Sequence, residues 1–178
     1  MKTLILLRHA KSGWDDHGVR DFDRRLNPKG ERAARTMGNH MRSIGLSWEH
    51  AIASPAVRVV ETLEQVATGY GRAIDPEWDR RAYLASAVTL LDLIHSAPES
   101  ADTLLLSGHN PGLEDLVLWL IPDGAGLRDS VEAKFPTASL AVITCNVTSW
   151  ADLGPGKGVL TVFSRPRDLD AGLGPEDT

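Results

Sequence analysis

The stretch Leu4-Ile5-Leu6-Leu7-Arg8-His9-Ala10-Lys11-Ser12-Gly13 carries the reading of the fold, because an unbroken apolar run stops at a guanidinium and an imidazole. Two later stretches repeat the pattern. Ala51-Ile52-Ala53 runs into Ser54-Pro55-Ala56-Val57-Arg58, and Leu104-Leu105-Leu106 runs into Ser107-Gly108-His109-Asn110-Pro111-Gly112. Apolar runs this short read as buried strands, and the helical patterns between them predict parallel βα units. Ligands of such sheets bind beyond the carboxyl ends of the strands. Arg8, His9, Arg58 and His109 are therefore expected at one edge, as an anion site with a nucleophile in it.

Working outward, Ser12 to Asn27 reads as a long polar loop over the first strand end. Pro28 then opens a helix with Ala33, Ala34, Met37, Met41 and Ile44 on one face, stopped by Gly45. Ser54-Pro55 predicts the cap and first position of a second helix with the stripe Val57, Val60, Leu63 and Ala67. Arg58 falls in its first turn, where backbone N–H groups also favour an anion. A third helix is expected from Ser86 to Ser96 with Val88, Leu91 and Ile94 inward, and a fourth, opened by Pro111, with Leu113, Leu116, Val117 and Leu120 inward. Beyond Pro122 the alternation ceases. Ser139 to Thr144 and Val159 to Phe163, joined by the Gly/Pro loop 149–158, read as an antiparallel hairpin added to the sheet. The expected fold is a single three-layer α/β/α domain over 1–166, its central sheet mostly parallel with antiparallel strands near the C-terminus. A disordered tail, 167–178, follows.

Composition bounds the function. The chain has 178 residues, 42% hydrophobic and 24% charged, which suits one ordinary globular domain. A net charge of -5 argues against a general nucleic-acid binder but not against a local basic cleft. The opening apolar run is too short for a signal-peptide core, and no apolar run reaches about 18 residues. Cys145 is the only cysteine, so no intrachain disulfide or cysteine metal cluster is expected; it reads as a packed strand residue. A cytoplasmic monomer without membrane contact is the expectation.

Phosphoryl transfer needs positive charge around the non-bridging oxygens and an in-line nucleophile. Arginine binds phosphate through two parallel hydrogen bonds, and neutral imidazole is a nucleophile near physiological pH. Arg8-His9-Ala10, Ser54-Pro55-Ala56-Val57-Arg58-Val59-Val60-Glu61-Thr62 and Gly108-His109-Asn110-Pro111 together resemble the histidine phosphatase superfamily, and its small SixA-type phosphohistidine phosphatases in particular. Asp21-Phe22-Asp23-Arg24-Arg25-Leu26, Lys29-Gly30-Glu31-Arg32 and Phe135-Pro136-Thr137-Ala138-Ser139 extend the likeness over about Met1 to Pro166.

That resemblance implies a phosphoglycerate mutase-like fold and a role for each matching position. His9 would attack phosphorus, Arg8, Arg58 and His109 would hold the phosphoryl oxygens, and Arg24 would line the pocket; neither metal nor other cofactor is implied. Two positions depart from the wider superfamily. Ala10 stands where Gly is usual, and Glu77-Trp78-Asp79-Arg80-Arg81-Ala82-Tyr83-Leu84 offers no clear counterpart of the carboxylic acid that protonates the leaving oxygen. General acid help is typically worth ~10²–10⁴-fold. Its absence favours a phosphorylated imidazole, which can leave already protonated. Asp15, Asp21, Asp23 and Asp79 are the remaining candidate donors. The implied substrate is a phosphohistidine on a protein, with a small phosphate ester as the alternative. A non-catalytic phosphate-binding or phosphoprotein-docking module is the rival from another class. His17, His40, His50 and His95 read as surface or packing residues, Trp14 as cover near the loop, Lys11 and Ser12 as turn residues near the phosphate, and Arg80-Arg81 as a solvated patch.

Overall fold

A computed structural model describes residues 1–13, 18–123 and 126–174. Six strands form one sheet: β1 (Lys2–Arg8), β2 (His50–Ala53), β3 (Glu77–Trp78), β4 (Thr103–Gly108), β5 (Leu140–Cys145) and β6 (Gly158–Ser164). Their order is β3-β2-β4-β1-β5-β6. β1 to β4 run parallel, while β5 pairs antiparallel with β1 and β6 antiparallel with β5. The mostly parallel sheet with a C-terminal hairpin is the architecture expected from the apolar runs.

β1 shows why such runs need no alternation. Leu4 and Leu6 join one core, Ile5 and Leu7 the other, so both faces of the strand are covered. One face is covered by α1 (Pro28–Ser43) and α2 (Val57–Tyr70), the other by α3 (Ala87–His95), α4 (Gly112–Leu120) and α5 (Arg128–Ala133). Each fully buried Leu or Ile contributes roughly 1.5–3 kcal/mol, so burial on two faces anchors the strand that carries Arg8 and His9.

The starts of α1 and α3 follow local chemistry, whereas that of α2 does not. Asn27 Oδ1 accepts from Gly30 N–H at 2.7 Å to cap α1, and Ser86 Oγ accepts from Thr89 N–H to cap α3. Ser54 does not cap α2. The helix begins two residues past Pro55 with Ala56 as its uncapped N-cap, because Ser54 is buried at the strand end and engaged elsewhere. The buried stripe of α2 is accordingly Arg58, Val59, Thr62, Leu63 and Val66, so Val57, Val60 and Ala67 are only partly covered. Val88 and Ile44 are likewise exposed, at the first turn of α3 and just beyond α1.

The tail needs correction. From Arg167, where disorder was expected, the chain continues through α6 (Pro166–Leu169) and a 3-10 turn over Ala171–Leu173. Pro166 starts the helix, Asp168 accepts from Arg165 N–H at 3.0 Å, and Asp170 accepts from Gly172 N–H at 2.9 Å. Asp168, Asp170 and Gly172 act as caps and turn formers in this segment. Leu173 is buried in the α1–α2 core, and Lys29 Nζ donates to Gly174 O at 2.6 Å. Pro175, Glu176 and Asp177 lie outside the described residues, as do Trp14, Asp15 and His17. No helix among the described residues is long and apolar enough to cross a membrane.

Candidate functional site

Strand register builds the site. Arg8 of β1 is paired with Gly108 of β4, so His9 and His109 each follow a matched strand end. His9 N–H donates to Gly108 O at 3.0 Å, and the two imidazole centroids lie 5.3 Å apart. On the other side of β4, Ala53 pairs with Ser107 and Ser54 N–H donates to Ser107 O, which brings Ser54 and then Arg58 to the same edge. A cleft of about 400 Å³ is lined by Arg8, His9, Arg24, Arg58 and His109, with Asp21 among its further walls. All five of the candidate site residues meet there.

The hydrogen bonds assign the tautomers. His9 Nδ1 lies 2.7 Å from Ala10 O. A carbonyl only accepts, so Nδ1 carries the proton and Nε2 keeps its lone pair. Arg58 Nη2 donates to His109 Nδ1 at 3.3 Å, and His109 Nε2–H donates to Ser54 Oγ at 2.7 Å. Burial pushes the His9 pKa down to about 3, helped by the charges of Arg8 and Arg58 against the hydrogen bond to Ala10. Burial and then Arg58 bring His109 to about 3 as well. Both rings are neutral at physiological pH.

The arginines are held from behind. Arg8 Nη1 donates to Phe135 O at 3.0 Å, and Arg58, 2% exposed, donates from Nη1 to Asp21 O at 2.7 Å. Nε of Arg8 and Nε of Arg58 are buried and find no acceptor among the described residues. Thr62 Oγ accepts from Ala10 N–H at 2.9 Å and donates to Arg58 O, tying α2 to the loop after β1.

Asp21 lines the cleft, and Tyr83 backs Asp21 and His109. Asp21 sits in a short 3-10 turn, Asp21–Asp23, of the entry loop. Its carboxylate accepts from Arg58 Nη2 at 3.0 Å, from Arg24 Nε at 3.0 Å, and from the Tyr83 hydroxyl. Partial desolvation works to raise its pKa, but hydrogen bonds from Tyr83, Arg24 and Arg58 outweigh that and hold it at about 2. The Tyr83 ring meets the His109 ring edge-on at 5.3 Å. Asp21 was one of four donor candidates with nothing in the sequence to single it out, and Tyr83 carried no signal beyond its place near Arg80-Arg81. Asp23 and Asp79 do not line the cleft; they pair with Arg20 at 2.9 Å and Arg81 at 2.7 Å. Asp15 lies outside the described residues. His40, His50 and His95 also stay away from the cleft, bonded to Ser164, Glu77 and Leu153.

The sequence model described as the histidine phosphatase superfamily (branch 1) matches residues 4–82, a span with Arg8, His9, Arg24 and Arg58 but not His109. An uncharacterized protein of Mycobacterium tuberculosis, Rv1276c, is 32% identical over 164 residues, covering 90% of this chain and 100% of its own. The chain belongs to the histidine phosphatase superfamily. Within it, solved structures place the chain in the SixA-like branch. A provisionally named phosphohistidine phosphatase SixA from Nakamurella multipartitia superposes with a TM-score of 0.79 at 28% identity, over 93% of this chain and 96% of that one. A second provisionally named SixA, from Agrobacterium tumefaciens, gives the same TM-score and identity over 93% and 98%. The protein histidine phosphatase SixA complexed with tungstate shares the fold at a TM-score of 0.77 and 20% identity, over 94% and 99%.

Proposed function

We propose that the protein is a phosphatase working through a phosphohistidine on His9, and that its substrate is a phosphohistidine carried by another protein. The observation that carries the reading is the pairing of a neutral His9, its Nε2 lone pair free of the Ala10 hydrogen bond, with Arg8 and Arg58 in one cleft. Membership of the histidine phosphatase superfamily supports it. In the first step the His9 Nε2 lone pair forms a bond to phosphorus while the bond to the leaving imidazole breaks, its electrons returning to that ring. Arg8 and Arg58 stabilise the equatorial oxygens. The dianion draws Arg58 away from His109 Nδ1 and favours protonation of that ring, turning it into a donor. Water then attacks the phosphohistidine, releasing phosphate and restoring His9.

Leaving-group chemistry favours a phosphoramidate over an alkyl ester. Asp21 is the one carboxyl group among the described residues of the cleft, and its three donors hold it ionised. An ionised carboxylate cannot protonate a departing alkoxide, whereas a protonated imidazole leaves without that help. The test is rapid acid-free quenching after mixing with an isotopically labelled phosphohistidine peptide. The expected product is an acid-labile, base-stable phosphate on His9, absent in His9→Ala, with turnover of the peptide far above that of alkyl phosphates. Phosphate bound without turnover would make the chain a docking module, and faster turnover of small esters would move the substrate to that class.

A further inference from the structure

A second cavity, of about 340 Å³, is lined by Arg8 but not by His9. It shares Arg8, Lys11 and Thr137 with the catalytic cleft, so the two adjoin. Its cationic lining is Arg8, Lys11, Lys29, Lys134 and Arg167, and no Asp or Glu lines it among the described residues. That concentration of one sign stands out in a chain whose net charge is -5. Lys134 and Arg167 come from distant segments, the stretch after α5 and helix α6, and neither forms a salt bridge with a described residue; the nearby Asp168 is taken by Arg165 at 2.9 Å. A concave wall of like charges focuses potential and attracts anions.

We infer that this cavity is a subsite for a second anionic group of the substrate, a carboxylate or phosphate lying beside the transferred phosphoryl group. The inference rests on the phosphatase reading and narrows it: the preferred target is a phosphohistidine with acidic neighbours. Arg8 lines both compartments, so one guanidinium would serve the phosphoryl group and the second anion.

Binding of peptides that carry a non-hydrolysable phosphohistidine analogue tests the subsite without turnover. Peptides flanked by Asp and Glu are expected to bind about three- to tenfold more tightly than peptides flanked by Asn and Gln, with the gap closing as salt rises. The preference should vanish in Lys134→Gln/Arg167→Gln, while turnover of phenyl phosphate stays at the wild-type rate and reports an intact cleft. Alkyl bisphosphonates against monophosphonates form a second arm; tighter binding there, without a peptide effect, puts the second charge on a small molecule. Equal affinities in both arms, or a preference that survives the double substitution, overturn the subsite. Turnover without preference sinks the subsite alone. Preference without His9-dependent turnover sinks the phosphatase reading alone.

Discussion

With one carboxylate answering Arg24, Arg58 and Tyr83, the free cleft holds its own anion at the place where phosphoryl oxygens are expected. A phosphoryl dianion must share Arg58 with Asp21 and meet its repulsion. Asp21→Asn keeps the shape and most of the hydrogen bonding while removing that charge. Inorganic phosphate and tungstate are expected to inhibit this variant at concentrations about tenfold lower than the wild type, about 1.4 kcal/mol. Inhibition constants at fixed low salt check it; unchanged constants with a large loss of kcat on alkyl esters would instead make Asp21 a proton donor. Ser54 illustrates how a residue can be read for the wrong job. Ser-Pro before a helix signals a cap, yet the hydroxyl accepts from His109 Nε2–H, and no one-dimensional pattern distinguishes those two partners.

At the scale of elements, Arg58 depends on how closely α2 lies against α1. A Cβ at Gly38 would stand 2.1 Å from Val66 O, and one at Gly69 would stand 2.0 Å from Arg35 O. The two helices therefore touch backbone to backbone at two points, and any larger residue pushes them apart. Gly38→Ala is expected to destabilise the fold by about 1–3 kcal/mol and, by displacing α2, to weaken phosphate binding as well. Urea denaturation with a parallel phosphate titration measures both; wild-type stability would show that the contact yields at little cost. Long periodic helices and apolar strands were legible in the sequence, as Leu113, Leu116, Val117 and Leu120 of α4 show by all being buried. The two-residue β3 and the six-residue α5 were not, because so few residues cannot express a period.

At the scale of the molecule, burying two neutral imidazoles links the site to global stability. The folded pKa of about 3 for His9 and for His109 lies below the ordinary 6.5. Between those values the unfolded chain binds protons that the folded chain does not. Stability is therefore complete above about pH 6.5 and falls as pH drops toward 3, by up to roughly 1.4 kcal/mol per pH unit for each ring. Asp21 adds a loss only below its ordinary 3.8, since its folded value is about 2. Urea midpoints at about pH 7, 6 and 5 should decline steadily, and less steeply in His109→Asn. A flat profile over that range is incompatible with neutral burial of the pair. The C-terminal segment belongs to the same whole: α6 and Leu173 close over α1 and supply a wall of the second cavity.

The order of apolar runs and helical stripes was sufficient to determine a mostly parallel sheet with two arginines and two histidines at its carboxyl edge. Side-chain period and the chemistry of strand ends are local properties, written in consecutive residues. Tertiary structure alone decided that Asp21, backed by Tyr83, lines the cleft, that Ser54 orients His109, and that Lys134 and Arg167 share a cavity with Arg8. Those contacts join loops and helix ends whose meeting depends on strand register and helix packing across the whole chain, and no local pattern encodes them.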